Sequence, residues 1–76
     1  MRPTAARRHS NRIRARARAV GAADAAGECT RAMLEELYDA QDRATQAGYG
    51  VGAMADDTLD GLDEGRSTAQ TPLDPH

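Results

Sequence analysis

Apolar and polar positions separate with helical period across the middle of the chain. On a wheel of 100° per residue, Ala26, Cys29, Thr30, Met33, Leu34, Leu37, Ala40, Gln41, Ala44 and Ala47 fall on one side. Asp24, Glu28, Arg31, Glu35, Asp39, Asp42, Arg43 and Gln46 fall on the other. This segregation predicts an amphipathic helix over about 22–47, in a stretch dominated by good helix formers. Asp24 is the expected N-cap, and Gly48 suits the left-handed position just past the end. Gly27 is expected to weaken the first turn. Met33, Leu37, Ala40, Ala44 and Ala47 repeat at alternating spacings of four and three, a coiled-coil-like seam that narrows to alanine. A lone helix of this length is marginal in water, so its face needs another copy, a second segment of this chain, or a different protein. The interaction face expected from this pattern is Met33, Leu34, Leu37, Ala40 and Ala44. It would form a homo-oligomer or a hetero-complex.

The flanking patterns are weaker. Residues 1–20 form an Arg-rich arm in which Ala6, Ile13, Ala17 and Val20 make a narrow helical stripe. A helix over about 12–20, formed on binding, is the favoured reading, because alanine and arginine suit helices and alanine is depleted in strands. Pro3 and Ser10-Asn11 argue against structure before it. The alternation of Arg12, Arg14, Arg16 and Arg18 also resembles the groove-facing strand of the ribbon-helix-helix family. The β-branched residues of such a strand and a second robust helix are missing, so membership is not assigned. Residues 48–52 read as a Gly-rich break. Residues 53–76 are an acidic segment and tail, with a short helix expected over 53–63 through Met54, Leu59 and Leu62, interrupted by Gly61. From Gly65 on, Ser, Thr, Gln and Pro point to disorder. The fold class expected is mostly α with largely disordered ends.

Composition sharpens this picture. The 76 residues are 39% apolar, with no Phe or Trp, and more than half of that share is alanine. Leu, Ile, Val and Phe together stand at about half the level below which disorder is expected. So few large side chains argue against a self-sufficient enzyme, and a single cysteine excludes an internal disulfide. The net charge of −2 conceals a division. All 10 basic residues are arginine; seven lie in the first 18 positions, and no acid precedes Asp24. Such asymmetry points to an anion-binding arm.

Arginine presents a planar fork of donors that matches phosphate and keeps its charge. Arg7, Arg8, Arg12, Arg14, Arg16 and Arg18 are therefore the expected nucleic-acid-binding residues, contacting the backbone of DNA or RNA. No aromatic residue lies in positions 1–37 to stack on bases. The competing reading is pairing with an acidic surface, either of a partner protein or of this chain's own second half. An Arg-rich, acid-free start also meets the loose description of an organellar transit peptide. Asp56, Asp57, Thr58, Asp60 and Gly61 resemble the opening of a calcium loop, but Ser67 stands where a bidentate Glu is needed. No phosphate-loop, HExxH, GxSxG or CxxC pattern occurs. No catalytic residue, metal or cofactor is expected, nor a membrane span. The functional expectation is a small, non-enzymatic, cytoplasmic nucleic-acid accessory protein. The alternative is a protein–protein assembly subunit of adaptor, toxin-neutralising or phage-accessory type.

Overall fold

A computed structural model describes residues 4–70, all in three α-helices and their short connections. Helix α1 spans Thr4–Ala25, α2 spans Arg31–Gln46 and α3 spans Val51–Gln70. The pairs Arg14–Asp57, Arg18–Glu64 and Asp24–Arg66 advance together along α1 and α3, so these two helices run parallel. The intervening α2 runs antiparallel to both. Helix α1 packs along α3 and against α2, whereas α2 and α3 touch only lightly.

The all-helical class follows the sequence expectation, but the helix expected over 22–47 is divided. Residues 22–25 end α1, and the next helix begins at Arg31. The break is Gly27, at φ +74°. Its N–H donates to the Asp24 carbonyl at 3.1 Å, and the Glu28 N–H donates to the Ala23 carbonyl at 2.7 Å. These are the two bonds of a Schellman C-cap, so Gly27 terminates a helix where weakening of a first turn was expected. Asp24 accordingly lies inside α1, and Thr30 is the N-cap of α2, its hydroxyl accepting from the Met33 N–H at 3.2 Å. Thr30→Ala should lower stability by about 1 kcal/mol in urea unfolding, the usual cost of losing such a cap. The same Schellman bonds recur at Gly48, at φ +90°, where the left-handed position was expected.

The basic helix is longer than the expected 12–20 and runs through Ser10-Asn11. The acidic helix is longer than 53–63. It starts at Val51, inside the expected Gly-rich break, and continues past Gly61 and Gly65 to Gln70. Disorder expected from Gly65 onward therefore does not hold for residues 65–70; residues 1–3 and 71–76 lie outside the described part.

The buried core is Ile13, Ala17 and Val20 of α1 against Leu37, Ala40 and Ala44 of α2. The partner that the apolar face of α2 requires is thus a second segment of the same chain. Met33, Leu34 and Cys29 pack at its edge, half-buried, while Ala47 is exposed at the helix end. Three of the six core side chains are alanine, so burial of large groups contributes little. Backbone approach compensates. A Cβ on Gly61 would lie 2.7 Å from the Arg14 carbonyl oxygen, and one on Gly65 would lie 2.0 Å from that of Arg18. A Cβ on Gly21 would lie 2.3 Å from the Leu62 carbonyl oxygen. Gly61 and Gly65 sit one turn apart on α3, and Ala17 and Gly21 do the same on α1. These small positions let the two backbones meet, which brings many atom pairs to the separation where dispersion attraction is strongest. Composition alone could not anticipate this, because it counts large side chains as the only source of a core.

Candidate nucleic-acid interface

The arginines of α1 divide into two groups. Arg14 Nε lies 3.0 Å from Asp57 Oδ1, and its Nη2 lies 3.3 Å from Asp60 Oδ2. Arg18 Nε lies 3.0 Å from Glu64 Oε1. Across the other flank, Arg16 Nη1 stands 3.7 Å from Glu36 Oε1 of α2. Half of the six expected binding residues are thus paired with the chain's own acidic helices. Mutual repulsion, which would keep an isolated arginine arm unfolded, is relieved by these carboxylates, so α1 is a packed helix without a ligand.

Arg7, Arg8 and Arg12 form the second group. All three are exposed, and among the described residues no carboxylate comes within ion-pair reach of them. They occupy the first three turns of α1, and the unpaired backbone N–H groups of the first turn add positive potential beside Arg7 and Arg8. Helical geometry places Arg8, Asn11, Arg12, Ala15 and Ala19 along the outward crest. Its small residues leave the guanidinium groups as the first feature an approaching polyanion meets. Below Arg12 a groove of about 270 Å³ opens between α1 and α2 over Ala40. Arg16, Glu36, Asp39 and Arg43 complete its lining, so among the described residues Arg12 is its one unpaired charge.

Beside this cationic end lies a polar cluster that sequence reading missed. Asp57 of α3 is 5% exposed, the one buried charged residue among those described. It accepts hydrogen bonds from Arg14 Nε and from the Tyr49 hydroxyl, with Ser10 of α1 close by. Burial alone would push the Asp57 carboxyl up. The hydrogen bonds from Tyr49 and Arg14, the neighbouring Ser10 and the charge of Arg14 outweigh burial and hold it below the usual carboxylate range. The same bond to Asp57, aided by burial, pushes the Tyr49 phenol up. The Tyr49 ring in turn lies 6.2 Å from that of His9, so His9 is half-buried in α1. The cluster joins the start of α3, the α2–α3 connection and α1, and it orients the helix turn that carries Arg7, Arg8 and Arg12. Nothing in the sequence distinguishes Asp57 from its four acidic neighbours on α3. Its position one turn before Gly61 is the only sign that it faces α1.

The residues that resembled a calcium-loop opening lie on continuous helix, with Asp57 and Asp60 both turned to Arg14. Among the described residues, no three His, Cys, Asp or Glu side chains gather as a metal site would require, and no helix is long and apolar enough to cross a membrane. Comparison with protein-family models, curated proteins and solved structures finds no match to this chain.

Proposed function

We propose that the protein is a small non-enzymatic nucleic-acid accessory protein of the cytoplasm, which grips the phosphate backbone with the N-terminal half of α1. The observation that supports this reading is the exposure of Arg7, Arg8 and Arg12 on one helix end with no described carboxylate to neutralise them. Arg14, Arg16 and Arg18 hold α1 against its neighbours and contribute less to binding. Backbone contact without stacking aromatics implies little sequence preference.

A fluorescence-polarisation titration of labelled duplex and single-stranded oligonucleotides tests this. Three neutralised phosphates give a log–log salt slope of about −2.7 on duplex, from about 0.9 per phosphate. Affinity should then fall by about 40-fold between about 50 and 200 mM salt. The triple variant Arg7→Ala, Arg8→Ala, Arg12→Ala should lose that dependence and most of the binding. Salt-independent or absent binding to both DNA and RNA defeats the reading. A slope of about −5.4 would instead mean that Arg14, Arg16 and Arg18 leave their carboxylates and bind as well.

A further inference from the structure

We infer that the groove between α2 and α3 is a docking site for a basic amphipathic helix of another protein. The groove exists because these two helices barely meet. Gln41 Nε2 donates to Thr58 Oγ1 at 2.9 Å, and Thr45 Oγ1 lies 3.8 Å from Met54 Sδ. Around this narrow line of contact, Gln41, Val51, Met54, Ala55, Thr58 and Leu59 enclose about 330 Å³. Val51 is 71% exposed and Leu59 64% exposed, two of the three large apolar side chains left open among the described residues. Val51, Ala55 and Leu59 recur at intervals of four on one face of α3, a row about 12 Å long. Two to three turns of a partner helix, presenting apolar side chains at i, i+3/i+4 and i+7, match that row.

Charge selects the partner. Asp56 and Asp63 stand one turn to either side of Leu59 on its outer edge, both exposed. Among the described residues neither has an ion pair, whereas Asp60, Glu64 and Asp57, further round the helix towards α1, are all paired to it. The one basic residue of α3, Arg66, is held by Asp24. The cations that would neutralise this rim are therefore not supplied by the described part of the chain. A second copy carries unpaired cations in Arg7, Arg8 and Arg12, but on a crest of small residues that cannot cover the apolar row at the same time. Its α3 would set Asp56 and Asp63 against like charges, and the apolar stripe of its basic helix is already buried in the core. An incoming helix with a leucine stripe flanked by Lys or Arg satisfies both the apolar row and the rim.

Two synthetic helical peptides of about 14 residues, with the same leucine stripe but Lys in one and Glu in the other on the flanks, provide the test. Isothermal titration against the full chain should show the Lys peptide binding about tenfold or more tighter than the Glu peptide, with a preference that shrinks in salt. Leu59→Asp should abolish binding of both. The double variant Asp56→Asn, Asp63→Asn should equalise the two peptides. Every changed residue is exposed, so circular dichroism should report an unaltered fold. Arg7→Ala, Arg8→Ala, Arg12→Ala should leave peptide binding intact, which separates this site from the nucleic-acid reading. Equal binding of the two peptides, binding that survives Leu59→Asp, or a chain that sediments as a dimer and becomes monomeric in Leu59→Asp would each overturn the inference. The last result would assign the groove to a second copy.

Discussion

Gly65→Ala is expected to destabilise the protein by about 2–3 kcal/mol, although alanine is the better helix former. On an open helix surface the change would gain up to about 1 kcal/mol. Here the new Cβ would sit 2.0 Å from the Arg18 carbonyl oxygen and 2.9 Å from the Ala22 backbone nitrogen. Both are backbone atoms of a helix, so neither can swing aside as a side-chain end could. The helices must separate, which withdraws α3 from α1 along their whole contact. Gly61→Ala meets Ala17 Cβ at 2.6 Å and the Arg14 carbonyl oxygen at 2.7 Å, and should act in the same direction. A small domain has a total stability of about 0.05–0.15 kcal/mol per residue, so the double variant should be largely unfolded at room temperature. Gly52→Ala is the control. It lies in the same helix with nothing within 4 Å of the added Cβ, and it should be neutral or slightly stabilising. Urea midpoints of the four variants against the wild type decide the matter. A stabilised Gly65→Ala would show that the helices do not approach as described.

Asp57→Asn is expected to cost about 2 kcal/mol at neutral pH, in the range for losing hydrogen bonds to a charged group. Tyr49 and Arg14 both direct donors at this carboxylate, and the amide offers one acceptor oxygen and no charge. The pH dependence has a definite sign. Because the folded state holds the Asp57 carboxyl below its unfolded value, the carboxylate's contribution is complete above about pH 4, the unfolded range. It fades as the pH falls through the lower folded value. The stability gap between wild type and Asp57→Asn should therefore be constant from pH 7 to 5 and narrow towards pH 3 in urea titrations. A gap that widens in acid would reverse the assigned direction. Tyr49→Phe removes one donor and should give a smaller loss with the same trend.

The α2 periodicity was legible because its core face is a stripe of apolar residues. Leu37, Ala40 and Ala44, read from the sequence as an interaction face, are the residues buried against α1. The stripe Ile13, Ala17 and Val20 was equally visible, and it is the surface they meet. What stayed illegible was the α1–α3 pairing. Its main signals are glycines, and Gly61 and Gly65 score against a helix by propensity while acting in its favour through close approach. The four-residue spacing shared by Gly61 and Gly65 and by Ala17 and Gly21 was the available clue. Gly27 was misplaced for a related reason. Both Gly27 and Gly48 sit at helix ends with positive φ, but apolar residues on both sides of Gly27 continue the period and mask the break. For the interface, the Arg cluster was evident but its division was not. Which arginines face carboxylates depends on the register between α1 and α3, and this is set by packing 42–46 residues away in sequence.

That separation also orders events in time. A ribosome adding about 5–20 residues per second makes Arg14 and Arg18 some two to nine seconds before the carboxylates that will pair with them. During that interval Arg14 and Arg18 lack their partners, and α1 has neither Asp57 nor the glycine face of α3 to rest on. In the folded protein Arg14, Arg16 and Arg18 are already engaged by the time any other partner arrives.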